Sequence, residues 1–304
     1  MTLFLEQTLN GLQFGVMLFL MAAGLTLIFG IMGIINLAHG SIYMVGAYAG
    51  TLIINATGSF LLGIPAALTI AALVGIAMEL AVIRRLYRRD HLDQVLATFA
   101  VILILNQVIT ILFGRQPLFA PMPGFLMGSV ELLPGLSYPI YRLAIILVGL
   151  AVAGGLYVLI NRTRIGMLVR AGSTNRDMVR ALGVDIRLLY TVVFGLGALL
   201  AGLAGLMAGP ILAVQVGMGE QILITTFVVV VIGGVGSIKG AFYASLIIGV
   251  VDTLLRAYLP GFLRQFMVGS EADALGAGIS SMGIYLLMAL VLLVRPKGLF
   301  LANS

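Results

Sequence analysis

Few residues in this chain could do chemistry, and the string that most resembles a working site is Gly233-Gly-Val-Gly-Ser-Ile-Lys-Gly240. Glycine-rich turns cradle phosphate when their backbone amides converge. A GxGxxG pattern, however, needs glycine where Lys239 stands, and no GxxxxGK[ST] string occurs anywhere. The chain therefore binds no nucleotide by either motif, and any ATP it depends on is hydrolysed by a separate subunit, with no cofactor held directly. The absence of cysteine excludes disulfides, thiolate metal sites and cysteine nucleophiles. His39 and His91 stand far apart and make a poor metal centre, and no paired carboxylates or Ser, His and Asp grouping stands out. The sequence does not read as an enzyme.

Two acids, Glu79 and Asp252, fall inside apolar runs, where an ionisable group often marks coupling to an ion. Glu79 lies about one turn from Arg84, which predicts a pair or a snorkelled carboxylate. Asp252 sits on the order of 10 Å inside its run, counted at about 1.5 Å per residue. Arg256, four positions on, offers it an intrahelical partner. Ion coupling through Asp252 is the competing reading. His39 reads as a packed or interfacial histidine or as a proton carrier, and Asn36 as a pore-lining side chain or a helix-end cap.

The elements that must hold these residues are membrane helices. Of 304 residues, 61% are hydrophobic and 9% charged, far below the roughly 25% charged residues usual in soluble domains. The first ten residues carry Glu6 and no base, so the chain start is expected to enter the first span rather than form a cleaved signal peptide. At about 20 apolar residues per crossing, spans are predicted at 9–30, 41–56 (short), 61–83, 93–113, 139–160, 188–210, 221–235, 241–259 and 277–294. If the short second span is re-entrant, the count falls from nine to eight. Gly11 and Gly15, and the small residues Gly195, Gly197, Ala198, Ala201, Gly202, Gly205 and Gly209, suit close helix contact. The proline-rich stretch from Gly114 to Gly135 predicts an ordered hairpin or lid, and a loop is expected from Pro260 to Leu275.

Between the fifth and sixth spans, Asn161–Arg187 carries six arginines and two acids. Thr174 followed by Asp177 fits a capping box. Ala171, Thr174, Met178, Ala181 and Leu182 recur on one helical face, and Gly183 can supply a left-handed stop. One short amphipathic helix is predicted, either lying on lipid headgroups or docking a partner.

Arg84, Arg85, Arg88, Arg89, the loop arginines, Lys239, Arg295 and Lys297 gather on one side of the nine-span layout. That side is predicted to be cytoplasmic, with the carboxyl terminus inside and the amino terminus outside. An internal echo accompanies this layout. Residues 33–43, GIINLAHGSIY, and 233–243, GGVGSIKGAFY, align Gly33 with Gly233, Gly40 with Gly240 and Tyr43 with Tyr243. Each breaks one apolar run and opens another. The fold class read from this is an all-α polytopic membrane protein of about eight to nine helices, in two structurally related halves with broken or re-entrant segments. Non-helical backbone at membrane depth must be covered by protein or line a watered cavity. Gly33, Asn36, His39, Gly40, Gly233, Gly234, Gly236 and Ser237 are therefore the candidates for lining a pathway.

The strings Gly30-Ile-Met-Gly-Ile-Ile-Asn-Leu-Ala-His-Gly40, Ile232-Gly-Gly-Val-Gly-Ser-Ile-Lys-Gly240 and Arg295-Pro-Lys-Gly-Leu-Phe300 resemble the membrane subunits of bacterial branched-chain amino acid ABC importers, in particular the H-type permease of the Liv system. The resemblance covers essentially the whole chain, as one permease domain over residues 1–304. The segment Arg170-Ala171 through Asn175 to Leu182-Gly183-Val184-Asp185 resembles the family's coupling loop. Two departures are Val179, where a small alanine is common, and the missing glutamate-alanine-alanine opening of many importer loops. The resemblance implies a multi-pass protein of the bacterial inner membrane. It further implies a second, similar permease subunit, two cytoplasmic ATPase subunits, a periplasmic solute-binding protein, a small neutral amino acid as substrate, and no nucleic acid. It assigns ATPase coupling to Arg170, Ala171, Thr174, Asn175, Asp177, Met178, Ala181, Leu182 and Gly183. Relatives with the same strings serve urea, amides and aromatic acids, which leaves the solute open. An ion-coupled secondary carrier and a non-transporting scaffold are the alternatives from other classes.

Overall fold

The computed structural model describes residues 2–87 and 89–300, without the side chains of Arg176 and Asp177. Helix α1 (Thr2–Met32) ends at Gly33, whose φ of 65° closes it with an amide bond to the Phe29 carbonyl. Helix α2 (His39–Thr57) follows, then α3 (Phe60–Met78), which runs through a π-turn at Glu79–Ile83 into the short turn α4 (Arg84–Leu86). Helix α5 (His91–Phe113) leads to the proline-rich stretch, which folds as expected into an antiparallel hairpin of β1 (Ser129–Leu133) and β2 (Leu136–Pro139). Then come α6 (Ile140–Arg162), α7 (Arg164–Thr174), α8 (Arg176–Ala181), α9 (Ile186–Ala208), α10 (Met218–Gly233), α11 (Ile238–Leu263) and α12 (Gly269–Val294).

Seven helices among the described residues are long and apolar enough to cross a membrane, with α10 a shorter apolar helix. Helix α2, at 19 residues, also stands outside those seven. The two outside the seven fall where the sequence predicts its short second span and the span before GGVGSIKG. The chain is an all-α polytopic membrane protein. One expectation is corrected at Pro260. The loop predicted from Pro260 to Leu275 shrinks to residues 264–268, because α11 continues through Pro260 and α12 starts at Gly269. Gly276 of α12 packs directly on Pro260, so the two helices meet where a loop was expected.

The chain divides into two compact units, each assembled from separate stretches. One comprises 1–19, 124–150 and 225–304; the other comprises 20–123 and 151–224. In the second unit α2 is the core helix, buried almost throughout its length. Its wall is built from the small-residue face predicted for α9: Gly197 meets Gly24 of α1, Gly202 meets Gly46 of α2 and Ala71 of α3, and Gly205 meets the Tyr43 carbonyl. Without side chains between them, backbones approach and dispersion contacts multiply. In the first unit Gly11 and Gly15 of α1 lie against Gly249 and Ser245 of α11, the close contact their spacing predicts.

Candidate functional site

Between α1 and α2 the backbone of residues 33–38 is non-helical, with Ile34, Asn36 and Ala38 buried and the others part-buried. Buried amides need partners, and α5 supplies them from side chains. Gln94 Oε1 accepts from the Ile35 amide at 3.3 Å, and Thr98 Oγ1 accepts from the Leu37 amide at 3.3 Å. Gln94 is itself anchored, donating to the carbonyls of Leu86 (3.4 Å) and Arg89 (3.0 Å). Asn36 is fully buried, and its Oδ1 accepts from the Ala38 amide at 3.1 Å, a turn ahead of α2 and not the helix-end cap expected, because the cap position is Ala38 and no side chain caps it. Its Nδ2 makes no hydrogen bond, and the ring of the buried His39 faces the Met21 backbone without a well-formed bond to it. Gly40 presses on Gly219 at the start of α10, where a Cβ would run into the Gly219 carbonyl.

Gln94 and Thr98 were not foreseen from the sequence. Their signal was there: two uncharged polar residues four apart, hence on one face, in the first half of a largely apolar helix.

The second break, 234–237, is held differently. Gly234 (φ 99°) and Gly236 (φ 83°) take left-handed backbone, and Ser237 caps α11 by accepting from the Gly240 amide at 3.1 Å. The left-handed stop is thus Gly33 in the first break and Gly234 in the second, one position off the predicted Gly33 and Gly233 pairing. Gly233 instead lies face to face with Gly240 across its own break. The chain's tail closes over this turn, with Leu299 donating to the Ile232 carbonyl (2.8 Å) and Phe300 to that of Gly233 (3.1 Å). The Phe300 ring stacks on Tyr243 with centroids 5.4 Å apart. Pathway candidates 33–40 therefore belong to one compact unit and 233–237 to the other.

The basic loop forms two helices where one was predicted. Thr174 ends α7, its hydroxyl donating back to the Arg170 carbonyl at 3.0 Å, and the cap of α8 is Asn175, whose Oδ1 accepts from the Met178 amide at 3.0 Å. Asn175 wins because it, not Thr174, leaves helical backbone (φ −151°, ψ 96°) and so can fold its side chain over the first turn. The capping-box role given to Asp177 concerns a side chain outside the described residues. Gly183 makes the predicted left-handed stop at φ 84°. Thr163 caps α7 and Asp185 caps α9, so each helix start in the loop is fixed by a side chain. The predicted apolar face is bare: Met178 is 60% and Leu182 77% exposed, with Ala171 and Ala181 also outward. Val179 turns inward, 5% exposed, so its departure from the family pattern falls on the inner face.

Both acids singled out in the sequence hold arginines. Glu79, fully buried in the π-turn, takes Arg84 Nε and Nη2, both at 3.2 Å, the Thr191 hydroxyl at 2.8 Å, and the Tyr87 phenol. Burial, then the bond to Glu79, pushes the Tyr87 phenol well above its ordinary range, so it stays a donor. Asp252 pairs with Arg256 at 2.8 Å, the predicted intrahelical bridge.

The chain matches the family described as "Branched-chain amino acid transport system / permease component" over residues 7–294. It is 27% identical to the high-affinity branched-chain amino acid transport system permease protein BraD of Pseudomonas aeruginosa, over 97% of this chain and 95% of that protein. It is 28% identical to LivH of Escherichia coli K12 over the same shares. The probable LivH of Methanocaldococcus jannaschii is 27% identical over 93% of this chain and 88% of its own. No solved structure matches. A family match across nearly the whole length, residues 7–294, places this chain: it belongs to the branched-chain amino acid transport permease family, whose members are permease components of transporters and not enzymes.

Proposed function

We propose that the chain is the permease subunit of an ATP-driven, binding-protein-dependent importer of branched-chain or other small neutral amino acids. It works beside a second, similar permease subunit, with two cytoplasmic ATPase subunits and a periplasmic solute-binding protein. The carboxyl terminus and the 161–187 loop face the cytoplasm, and the amino terminus faces outward. The observation that carries this reading is the α7–α8 knob: bare Met178 and Leu182 among Arg170, Arg180 and Ala181, on a base fixed by three capped helix starts. Exposed apolar side chains ringed by arginines fit a groove with an apolar floor and acidic rims. Closure of an ATPase pair on nucleotide would move this knob as a rigid body, and the bundle would tilt with it. ATP is bound by the partners alone. The first break, with Asn36, His39 and Gly40, is the pathway segment of this subunit; the second is a joint braced by the tail.

The experiment is uptake and ATP hydrolysis by the assembled importer in proteoliposomes carrying Met178→Asp with Leu182→Asp. Buried in an interface, two new carboxylates would each cost several kcal/mol without partners. The expected result is hydrolysis with uptake lost and the subunits still inserted; undiminished uptake overturns the docking role. Amino acid uptake by this chain in vesicles lacking the ATPase subunits would instead favour an ion-coupled carrier. The pairing of Asp252 with Arg256 supports a structural role for that acid over ion coupling.

A further inference from the structure

Glu79, Asp252 and Glu220 are carboxylates set on apolar helices of this chain, and they are not alike. Glu79 and Asp252 each hold an arginine, although Asp252 Oδ1 is also buried without a hydrogen-bond partner. Glu220, in the first turn of α10, makes no ion pair among the described residues. Its Oε1 accepts from Nδ2 of Asn106 on α5, while its Oε2 is buried with no hydrogen-bond partner, and Asn106 Oδ1 is in the same condition. An acid at a helix start often serves the helix by accepting from a first-turn amide. Here the carboxylate is turned to a side chain of another helix instead. Two adjacent buried acceptors without a donor lack something that brings N–H or O–H groups to them.

The surroundings share this unmet capacity. Gly219, next to Glu220, is pressed on Gly40 of α2. On α2, Ser41 and Tyr48 are two turns apart and therefore on one face. Both hydroxyls are buried without a partner, and the Tyr48 ring lies 5.0 Å from Phe113 of α5. Helices α2, α5 and the start of α10 belong to the same compact unit. They thus offer acceptors on Asn106 and Glu220 and free hydroxyl donors on Ser41 and Tyr48, set among apolar walls. An ammonium group, with a positive charge and three donors, complements the first set; a carboxylate complements the second.

We propose that Glu220, oriented by Asn106, receives the ammonium group of the amino acid in transit. This rests on the reading of the chain as an amino acid permease and adds to it a charge-selective position inside the bundle. A glycine-and-apolar pathway alone would not distinguish leucine from a neutral isostere without the ammonium.

The test is uptake of L-leucine, or of the neutral amino acid its binding protein holds, by the assembled importer in proteoliposomes. Glu220→Gln keeps an oxygen for Asn106 Nδ2 and removes only the charge. The expected result is uptake reduced about ten-fold or more, the scale of one lost charge-assisted bond, with ATP hydrolysis stimulated by the loaded binding protein retained and Glu220→Asp intermediate. Uptake at the wild-type rate overturns the proposal. Equal loss of uptake and stimulated hydrolysis also overturns it, in favour of a packing role. A sodium requirement of the wild type that vanishes in Glu220→Gln overturns it in favour of a cation site. A wild-type importer that moves no neutral amino acid defeats the amino acid reading itself, and this assignment with it.

Discussion

The two helix breaks, 33–38 and 234–237, use glycine in the same way and are stabilised in opposite ways. In each, a left-handed glycine stops the first helix and another glycine, Gly40 or Gly240, lets backbone touch backbone. The contact differs, however. Gly240 meets Gly233 across its own turn, so the second break is a closed loop. Gly40 meets Gly219 of a different helix, so the first break is held open between neighbours. The freed backbone groups diverge too. The second break gives its carbonyls to the tail's amides at Leu299 and Phe300. The first receives side-chain oxygens from Gln94 and Thr98, leaves Asn36 Nδ2 unused, and gives the His39 ring no well-formed partner. A backbone brace satisfies its groups and locks. A side-chain brace leaves surplus polar capacity beside it, which suits the pathway role proposed for that segment.

The largest effect tests what the breaks share. Gly40→Val and Gly240→Val each drive a side chain into a carbonyl that belongs to main chain and cannot swing aside. Each is expected to cost about 3 kcal/mol or more, read as loss of folded, detergent-stable protein in thermal unfolding. If either variant retains wild-type stability, the glycine pairs are not the common element and the comparison fails at its base.

Next comes the first difference. Gln94→Leu strips the acceptor from the Ile35 amide and leaves that group buried. The expected cost is about 2 kcal/mol, with faster amide exchange at 35–37 and none at 232–240. Exchange rising equally at both breaks would mean that Gln94 supports the whole fold rather than one brace.

This asymmetry explains what could be read from the sequence. The breaks were legible because glycine and asparagine interrupt apolar runs, and Asp252 with Arg256 because a partner four residues on announces itself. The close packing of α9 followed from its small residues alone. What was hidden lay in long-range pairing. Gln94 sits 59 residues from the amide it serves, and Glu220 finds Asn106 114 residues away. Nothing local marks such partners, although Glu220 does have no base within four residues on either side, and that could have singled it out. The α8 cap moved from Thr174 to Asn175 because spacing cannot say which of two adjacent capping residues leaves the helix.

The smallest effect sharpens the second difference. If the tail braces 234–237 through its backbone, the Phe300 side chain is secondary, and Phe300→Ala should keep both amide bonds to Ile232 and Gly233 while losing only the stack on Tyr243. An aromatic pair of this kind contributes about 1 kcal/mol, so the variant should be stabler than Gln94→Leu, with exchange protection at 232–240 intact. The reverse order would mean that a ring wedged over the turn holds it, as Gln94 holds the first break. The two breaks would then share one mode of support, and the surplus polar capacity beside Asn36 and His39 would no longer follow from how that segment is braced.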